Sequence, residues 1–175
     1  MDLSAYTKTV KNYCLKPHQA VLCSRTIWTD GSCPVPNGPG GWSFISLGLL
    51  GNVDKHSGYL LNATNNTAEL TGVLEAMKWA LIYPVKTHII TDSKYCLNSI
   101  TDWMWSWVNK SWTGSAGPVK NKEFFVEIMD LLKKNENIFY FSWVKGHAGN
   151  EYNEKADQLA KAQTEIAKEI LNGQQ

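Results

Sequence analysis

Acidic residues stand at the ends of two apolar, strand-like segments and near the start of a helical one. Asp30 follows the β-branched and aromatic run at residues 26–29, and Asp92 follows the apolar run at residues 85–91. Glu69 lies in the first turn of a predicted helix, where the helix dipole favours a negative charge. Because strand ends form the crevice of an α/β sheet, the three carboxylates are expected to converge there. Clustered like charges need a cation, so the pattern predicts a divalent metal site, which is typical of phosphate chemistry.

The order of the predicted elements indicates an α/β domain with a mixed five-stranded sheet flanked by helices. Strands are expected at residues 26–29, 42–50, 56–61, 85–91 and 138–144, with a turn at 51–55. Helices are expected at residues 65–82, 94–100, 122–134 and 151–170, with Thr67 or Asn66 as the cap of the first. We expect residues 26–172 to form this domain and residues 1–25 to be an N-terminal extension of unknown role.

Composition favours an intracellular globular protein. Of the 175 residues, 43% are hydrophobic, which suffices for a core, and the formal net charge of +1 by itself predicts no polyanionic partner. If several acids are committed to a metal site, however, the remaining surface is more basic than this total. The four cysteines form no Cys-x-x-Cys pair, which favours free thiols in a reducing cytosol. The sequence shows no signal peptide and no apolar run of roughly 20 residues, so we expect a soluble cytoplasmic protein.

Two further candidate residues follow the last predicted strand. His147 lies on a loop flanked by glycines, and Asp157 lies on the last helix beside an apolar face. Taken singly, each candidate has an ordinary explanation. Asp30 before a glycine is more often part of a turn, and Asp92 before a serine more often caps a helix. Glu69 alone would be an ordinary acid in the first turn of a helix, whereas Asp157 and His147 alone would each be a solvated surface residue.

A tryptophan-rich segment at residues 101–122 separates the second and third predicted helices. Trp103, Trp105, Trp107 and Trp112 are interleaved with Lys110, Lys120 and Lys122 around a Gly/Pro loop at residues 114–118. Two interpretations stay open. The rings pack the helices of this segment, or they lie against nucleic-acid sugars while the lysines bind phosphates.

Four motifs together resemble the type 1 ribonuclease H family, most closely its bacterial members with a basic protrusion, the handle. The motifs are Thr29-Asp30-Gly31-Ser32-Cys33, Asn65-Asn66-x-x-Glu69-Leu70, Thr91-Asp92-Ser93-x-Tyr95 and Trp143-Val144-Lys145-Gly146-His147-Ala148-Gly149, in family order within residues 26–162. The resemblance implies a ribonuclease H-like fold and an endoribonuclease that hydrolyses the RNA strand of RNA·DNA hybrids, leaving 5′-phosphate and 3′-hydroxyl ends. It also implies a two-metal-ion mechanism with two Mg²⁺ ions, for which Mn²⁺ is a substitute.

The same resemblance implies roles for individual residues. The catalytic and metal-binding carboxylates would be Asp30, Glu69, Asp92 and Asp157, and His147 would assist the departure of product or proton. The substrate-binding positions would be Gly31, Ser32 and Cys33 at the RNA strand, Asn65 and Asn66 in the groove, Lys94 where relatives often carry glutamine, and Trp103, Trp107, Lys110 and Trp112 in the handle. Hard Mg²⁺ prefers carboxylate oxygens, which agrees with an acidic site without cysteine ligands.

Two departures from the family pattern affect substrate binding. Residues 107–112 offer one lysine where relatives often have consecutive basic residues, so we expect weaker or more salt-sensitive binding of the hybrid. In the glycine loop at residues 35–41, Asn37 is displaced by one position from its place in relatives, so its groove contact is not carried over.

Three other assignments remain open from the sequence. A non-catalytic hybrid-binding module would keep the fold, although retention of all four carboxylates argues against it. A ribonuclease H domain of a reverse transcriptase would carry the same motifs, whereas the initial methionine and the extension favour a free-standing protein. A DNA exonuclease or transposase of this fold would lack the paired asparagines and the segment at residues 143–149. We expect a monomer without an obligate protein partner or membrane association, as is usual in the family.

Overall fold

Five strands form one mixed sheet in the computed structural model, which describes residues 23–173. In chain order the strands are β1 (Arg25–Ser32), β2 (Gly38–Gly48), β3 (Val53–Ala63), β4 (Thr87–Thr91), the short β5 (Thr113–Gly114) and β6 (Gly117–Pro118), and β7 (Phe139–Trp143). The order across the large sheet is β3-β2-β1-β4-β7, and β5 pairs with β6 separately. Strands β1, β4 and β7 are parallel, whereas β2 is antiparallel to both neighbours. The predicted mixed five-stranded sheet is confirmed.

Helices cover both faces of this sheet. They are α1 (Asn65–Ala80), α2 (Lys94–Asn98), α3 (Met104–Asn109), α4 (Lys122–Lys134) and α5 (Glu151–Gly173). The helix predicted to end at residue 100 continues instead through a π-helical turn at Ser99–Trp103, where the Trp105 indole donates a hydrogen bond to the Ile100 carbonyl (3.0 Å). Among residues 23–173, no helix is long and apolar enough to cross a membrane. Most of the predicted extension at residues 1–25 lies outside the described residues.

The first three strands are longer than the sequence predicted, whereas β4 and β7 are each two residues shorter. β1 runs through Asp30 and Gly31, which pair with Ser43 and Trp42 across the antiparallel ladder. The prediction that this strand ends at residue 29 is therefore wrong, because the long partner strand β2 continues to pair at the Asp-Gly step. Similarly, β3 begins at Val53, within the segment predicted to be a turn, because the end of β2 pairs with it there.

Thr64 caps α1, so the prediction of Thr67 or Asn66 as the cap is wrong. The Thr67 amide donates to Thr64 Oγ1 (3.2 Å) and the Thr64 amide donates to Thr67 Oγ1 (2.8 Å), which is a reciprocal capping box. The first turn of α1 contains no acidic residue, and Glu69 lies in the second turn. Since the effect of the helix dipole falls off within the first turn, the dipole stabilises this carboxylate less than the sequence suggested.

The apolar core lies between one face of the sheet and the helices α1 and α4. Residues of both helices and of strands β1, β2, β4 and β7 meet there, and each of the following is at most 1% exposed: Ile27, Phe44, Leu70, Val73, Met77, Ile89, Phe125, Ile128, Leu132, Phe139 and Phe141. Full burial of a side chain of this size contributes about 1.5–3 kcal/mol. The core therefore holds α1 firmly on the sheet.

Helix α5 packs on the opposite face and is tied to the strands by side-chain hydrogen bonds. Ser43 Oγ of β2 donates to the Ala156 carbonyl (2.6 Å), and Thr164 Oγ1 donates to the Ser32 carbonyl of β1 (3.1 Å). Ser43 is fully buried and Thr164 nearly so. These bonds fix the position of α5 along the sheet, and with it the position of Asp157.

Helix α1 also lies directly against β1, and two glycines allow this approach. A Cβ atom on Gly31 would lie 2.2 Å from the Glu69 amide nitrogen and 2.4 Å from the Ala68 carbonyl carbon. A Cβ atom on Gly72 would lie 2.9 Å from the Asp30 carbonyl oxygen. All three distances are shorter than non-bonded contacts allow. The two backbones therefore touch, and this contact places Glu69 beside Asp30.

Replacing Gly31 by alanine should force α1 away from β1. Overpacking typically costs about 1–3 kcal/mol, and the obstructing atoms here belong to the backbone, so we expect Gly31→Ala to lower the free energy of unfolding by at least about 2 kcal/mol. Urea denaturation measures this loss. Gly173→Ala is the control, because a Cβ atom there meets nothing within 4 Å. Equal stability of Gly31→Ala and the wild type would contradict the backbone contact.

His88 of β4 is a buried histidine with an incomplete set of hydrogen bonds. Its Nε2 lies 2.6 Å from Ser142 Oγ of β7, whereas Nδ1 is buried and has no hydrogen-bond partner among the described residues. Burial lowers the pKa of His88 from the ordinary 6.5 to about 4. The imidazole is therefore neutral in the folded protein at neutral pH.

The depressed pKa of His88 predicts acid sensitivity. Because the unfolded chain takes up this proton near pH 6.5 and the folded chain near pH 4, stability that is present above pH 6.5 is lost as the pH falls through this window. The loss should approach roughly 2–3 kcal/mol in urea denaturation. His88→Gln should remove this part of the pH dependence, whereas His56→Gln on β3 should retain it. Identical pH slopes for the wild type and His88→Gln would contradict this assignment.

Candidate active site

Three carboxylates from three different elements meet at one end of the parallel strands. Asp30 comes from β1, Glu69 from α1, and Asp92 from the turn that follows β4. One side-chain oxygen of each lies within 4.8 Å of the others. Asp30 is 4% exposed and Glu69 5% exposed, whereas Asp92 is half-buried. The predicted convergence of these three acids is therefore present in the structure.

Hydrogen bonds hold the turn that carries Asp92. The Trp143 indole of β7 donates to the Asp92 carbonyl (2.8 Å). Ser93, not Asp92, caps α2, since the Cys96 amide donates to Ser93 Oγ (3.1 Å). The ordinary explanation for an aspartate at this position, that it caps the following helix, therefore does not apply to Asp92. It faces the other two acids instead.

Burial and mutual repulsion oppose ionisation of this cluster. Burial, with added repulsion from Asp92 and Asp157, raises the pKa of Asp30 to about 8. Burial, followed by the charges of Asp30 and Asp92, raises the pKa of Glu69 well above its usual range. Burial also raises the pKa of Asp92, although a hydrogen bond from Asn153 opposes this shift. A cation between the carboxylates would remove the penalty and favour their ionised forms.

The donor set fits a hard divalent cation. Asp30 Oδ2 and Glu69 Oε2 are buried and have no hydrogen-bond partner among residues 23–173. Buried carboxylate oxygens are normally satisfied, so this pair requires an explanation. Clustered carboxylate oxygens without a thiolate or imidazole ligand suit Mg²⁺ or Mn²⁺ rather than zinc. The residues present therefore fit the metal that the sequence predicted.

Asp157 lies beside this cluster rather than within it. It lines the same cleft from α5, but the group of mutually close oxygens comprises the other three acids. Its Oδ2 instead accepts a hydrogen bond from Lys161 Nζ (2.8 Å), and its side chain is 20% exposed. Its charge nevertheless raises the pKa of Asp30. The fourth carboxylate thus acts on the cluster from the cleft wall.

His147 lies on the exposed loop between β7 and α5. It lines the cleft, and its backbone adopts a left-handed conformation with φ of 53°. The same loop lies against the acidic cluster, since a Cβ atom on Gly146 would be 2.7 Å from Asp92 Oδ2. The glycine therefore allows the loop to reach the carboxylates, and His147 is carried to the mouth of the cleft.

Several of the predicted substrate-binding residues share this cleft. Gly31, Ser32, Cys33 and Asn65 line it together with the acids, and Asn66 is exposed on the neighbouring first turn of α1. The Cys33 thiol is turned inward, 3.2 Å from the Ala63 carbonyl oxygen. Lys94 is exposed, and its Nζ lies 4.8 Å from the centre of the Trp143 ring.

The predicted handle residues differ in exposure. Trp103 is 40% exposed and Lys110 is exposed. Trp107 and Trp112 are half-buried and pack against the core, with the Trp107 ring 5.3 Å from Phe125. The packing interpretation therefore holds for part of the tryptophan-rich segment, and contact of its exposed part with nucleic acid stays a prediction. Trp107 and Trp112 pack the handle, whereas Trp103 and Lys110 face solvent.

Two residues of the site were missed from the sequence. Asn153 is 2% exposed, and its side-chain amide donates to Asp92 Oδ2 (3.4 Å). Lys161 lines the cleft and pairs with Asp157. A signal was present, because residues 153, 157 and 161 are spaced by four and therefore share one face of a helix.

The fold is shared with solved ribonuclease H structures. LC9-RNase H1, a type 1 RNase H, matches with a TM-score of 0.71 and 24% identity over 82% of this chain and 72% of that chain. LC11-RNase H1 in complex with an RNA/DNA hybrid matches with a TM-score of 0.64 and 20% identity over 82% of this chain and 97% of that chain. At these identities the likeness shows the fold alone.

Sequence comparison extends the likeness to the family. Ribonuclease H of Granulibacter bethesdensis is 43% identical over 135 residues, covering 77% of this chain and 87% of that protein. Ribonuclease H of Hydrogenovibrio crunogenus is 41% identical over 136 residues, covering 77% of this chain and 90% of that protein. The RNase H family profile matches residues 23–165. The chain therefore belongs to the ribonuclease H family.

Proposed function

We propose that this protein is a metal-dependent endoribonuclease that hydrolyses the RNA strand of RNA·DNA hybrids and leaves 5′-phosphate and 3′-hydroxyl ends. The observation that carries the proposal is the cluster of buried Asp30 and Glu69 with half-buried Asp92, in which two carboxylate oxygens have no partner among the described residues. Such an arrangement costs stability unless a cation is bound. We assign the site to two Mg²⁺ ions, with Mn²⁺ as a substitute, and Asp157 as the fourth ligand.

Each residue of the site has a role in the proposed phosphodiester hydrolysis. Asp30, Glu69 and Asp92 would hold the cations, which when bound would supply the charge that activates an attacking water and stabilises the departing 3′-oxygen. Asp30 and Glu69 offer their unpartnered oxygens to the cations, and Asn153 orients Asp92 through a neutral hydrogen bond that leaves its charge available. His147 lies on an exposed loop at the mouth of the cleft, where it can exchange a proton with the departing product and with solvent.

Substrate binding would use the polar wall of the cleft and the handle. A hybrid duplex presents 2′-hydroxyl groups across a shallow minor groove, so backbone groups and short polar side chains suffice for recognition. Gly31, Ser32, Asn65 and Asn66 offer such groups beside the carboxylates. Cys33 would contribute through its backbone, because its thiol is turned inward. We assign Lys94, Trp103 and Lys110 to the duplex, and we assign Trp107 and Trp112 to support of the handle.

The remaining proposals concern the context of the enzyme. We infer a monomeric, cytoplasmic protein without an obligate protein partner, with a catalytic domain at residues 26–172 and an extension of unknown role at residues 1–25. Cys23, Cys33 and Cys96 are buried free thiols, which suits a reducing compartment. The match to most of the length of relatives named Ribonuclease H supports this assignment over a reverse transcriptase domain. The acidic cluster argues against a non-catalytic module. Such a module would lose stability from the repulsion between the carboxylates and would have no reaction that needs a metal.

Removing one carboxylate charge should separate catalysis from binding. We expect Asp30→Asn and Asp92→Asn each to lower cleavage of a labelled hybrid by at least about 1000-fold, because the cations lose a charged ligand. Hybrid affinity, measured by fluorescence anisotropy, should stay within about threefold of the wild type. Asp130→Asn on the exposed face of α4 is the matched control and should cleave normally. Wild-type cleavage by Asp30→Asn would refute the assignment, as would equal cleavage of hybrid, duplex DNA and duplex RNA by the wild type.

The handle should contribute salt-dependent affinity without affecting the chemical step. Replacing Lys110 by alanine removes one phosphate contact, so the slope of log affinity against log salt concentration should decrease by about one. KM for the hybrid should rise several-fold at moderate salt, while kcat stays constant. Lys134→Ala, which removes an equal charge from the end of α4, is the control. An unchanged salt slope in Lys110→Ala would exclude Lys110 from the duplex interface.

A further inference from the structure

A lysine stands beside the carboxylates in the cleft. Lys161 lies one helical turn after Asp157 on α5, and its Nζ is 2.8 Å from Asp157 Oδ2. Both residues line the cleft that contains Asp30, Glu69 and Asp92. The charge of Lys161 also reaches Asp30, where it lowers the pKa and so favours the ionised form. An ammonium group is thus bound to the carboxylate that the proposed function assigns as the fourth metal ligand.

This ion pair differs from the other pairs on α5. Glu151 pairs with Lys155, and Glu165 pairs with Lys168 at 2.7 Å, but in both pairs the carboxylate is the more exposed partner. In the cleft pair the order is reversed, with Asp157 20% exposed and Lys161 57% exposed. The lysine therefore reaches inward from solvent to cover an acid that faces the site.

We propose that Lys161 competes with the divalent cation for Asp157 and thereby sets the concentration at which the site fills. The inference rests on the proposed function, in which Asp157 is the fourth ligand. A cation that takes Asp157 Oδ2 must displace the ammonium group from the same oxygen. Lys161 is accordingly a positioning residue, because it acts through Asp157 and through its charge rather than on the scissile bond.

The competition is graded rather than absolute. Lys161 is more than half exposed, so its ammonium group can leave Asp157 and regain full hydration. Exposed pairs of this kind are weak, and their effect corresponds to a few-fold change in an equilibrium constant. In the displaced position the ammonium group still repels a nearby cation, and this repulsion adds to the effect. Removal of Lys161 should therefore strengthen metal binding by about threefold to tenfold.

The direct test is a calorimetric titration of the full chain with MnCl₂, and separately with MgCl₂, in the absence of nucleic acid. Lys161→Met removes the charge and keeps the length of the side chain, and it should bind metal about threefold to tenfold more tightly than the wild type. Lys168→Met removes an equal charge from a pair outside the cleft and should bind as the wild type does. Lys161→Arg keeps the charge and should stay within about twofold of the wild type.

A double variant tests whether the effect passes through Asp157. In an Asp157→Asn background, Lys161→Met should improve metal binding by less than half as much on a logarithmic scale, because the shared partner is gone. An equal improvement in both backgrounds would overturn the competition and leave a general charge effect. Unchanged or weaker metal binding by Lys161→Met, or the same improvement in Lys168→Met, would overturn it as well.

The outcome also separates this inference from the function on which it rests. If the wild type binds neither metal, the metal-dependent function itself is wrong. If the wild type binds metal and cleaves the hybrid, but Lys161→Met binds metal with the same affinity, the proposed function is retained and the proposed role of Lys161 is wrong. The concentration of Mg²⁺ that gives half-maximal cleavage offers a second readout, and it should be lower in Lys161→Met than in Lys168→Met.

Discussion

The burial of Asp30 and Glu69 side by side is the constraint on which the rest of the structure depends. Two acids that are 4% and 5% exposed repel each other and lose the hydration that would stabilise their charges. Their proximity is possible because the backbone of α1 touches β1 at Gly31 and Gly72, where no side chain intervenes. A fold that places acids in this way gives up stability in the absence of metal. In return, it offers two oxygens that nothing else in the described chain engages.

Contacts elsewhere in the fold offset the stability that is lost by burying these two acids together. Fully buried residues of α1 and α4 hold α1 on the sheet against the repulsion beneath it. On the other face, Ser43 and Thr164 fix α5 through buried or nearly buried hydrogen bonds. The Trp143 indole holds the turn after β4, which presents Asp92. The acidic side chains are therefore held by α1, by α5 and by the turn after β4. Such rigid support is needed to position ligand atoms to within a fraction of an ångström.

The sequence predicted the part of this design that follows from local patterns. The mixed five-stranded sheet and the convergence of Asp30, Glu69 and Asp92 were predictable, because apolar periodicity marks the elements and the ends of parallel strands share one edge. The extension of β1 through Asp30 was not, since pairing with β2 overrides the turn preference of an Asp-Gly step. The Thr64 cap was missed because the reciprocal bond with Thr67 depends on backbone geometry. The contacts of Gly31 with α1 and of Asn153 with Asp92 join segments distant in sequence, so no local pattern reveals them. The pairing of Asp157 with Lys161 was within reach of the sequence, because the two residues are four apart on one helix.

Helix α5 adds a neutral, an acidic and a basic side chain to the wall of the cleft, beside the three clustered acids. Asn153, Asp157 and Lys161 follow one another at intervals of four along one face, so a buried neutral donor, a partly exposed acid and an exposed cation succeed one another from the interior to solvent. The neutral amide orients Asp92 without cancelling its charge. The outer pair can open and close at little cost, because both partners contact water. The deep carboxylates therefore fix where a cation binds, and the α5 face adjusts how readily it does so.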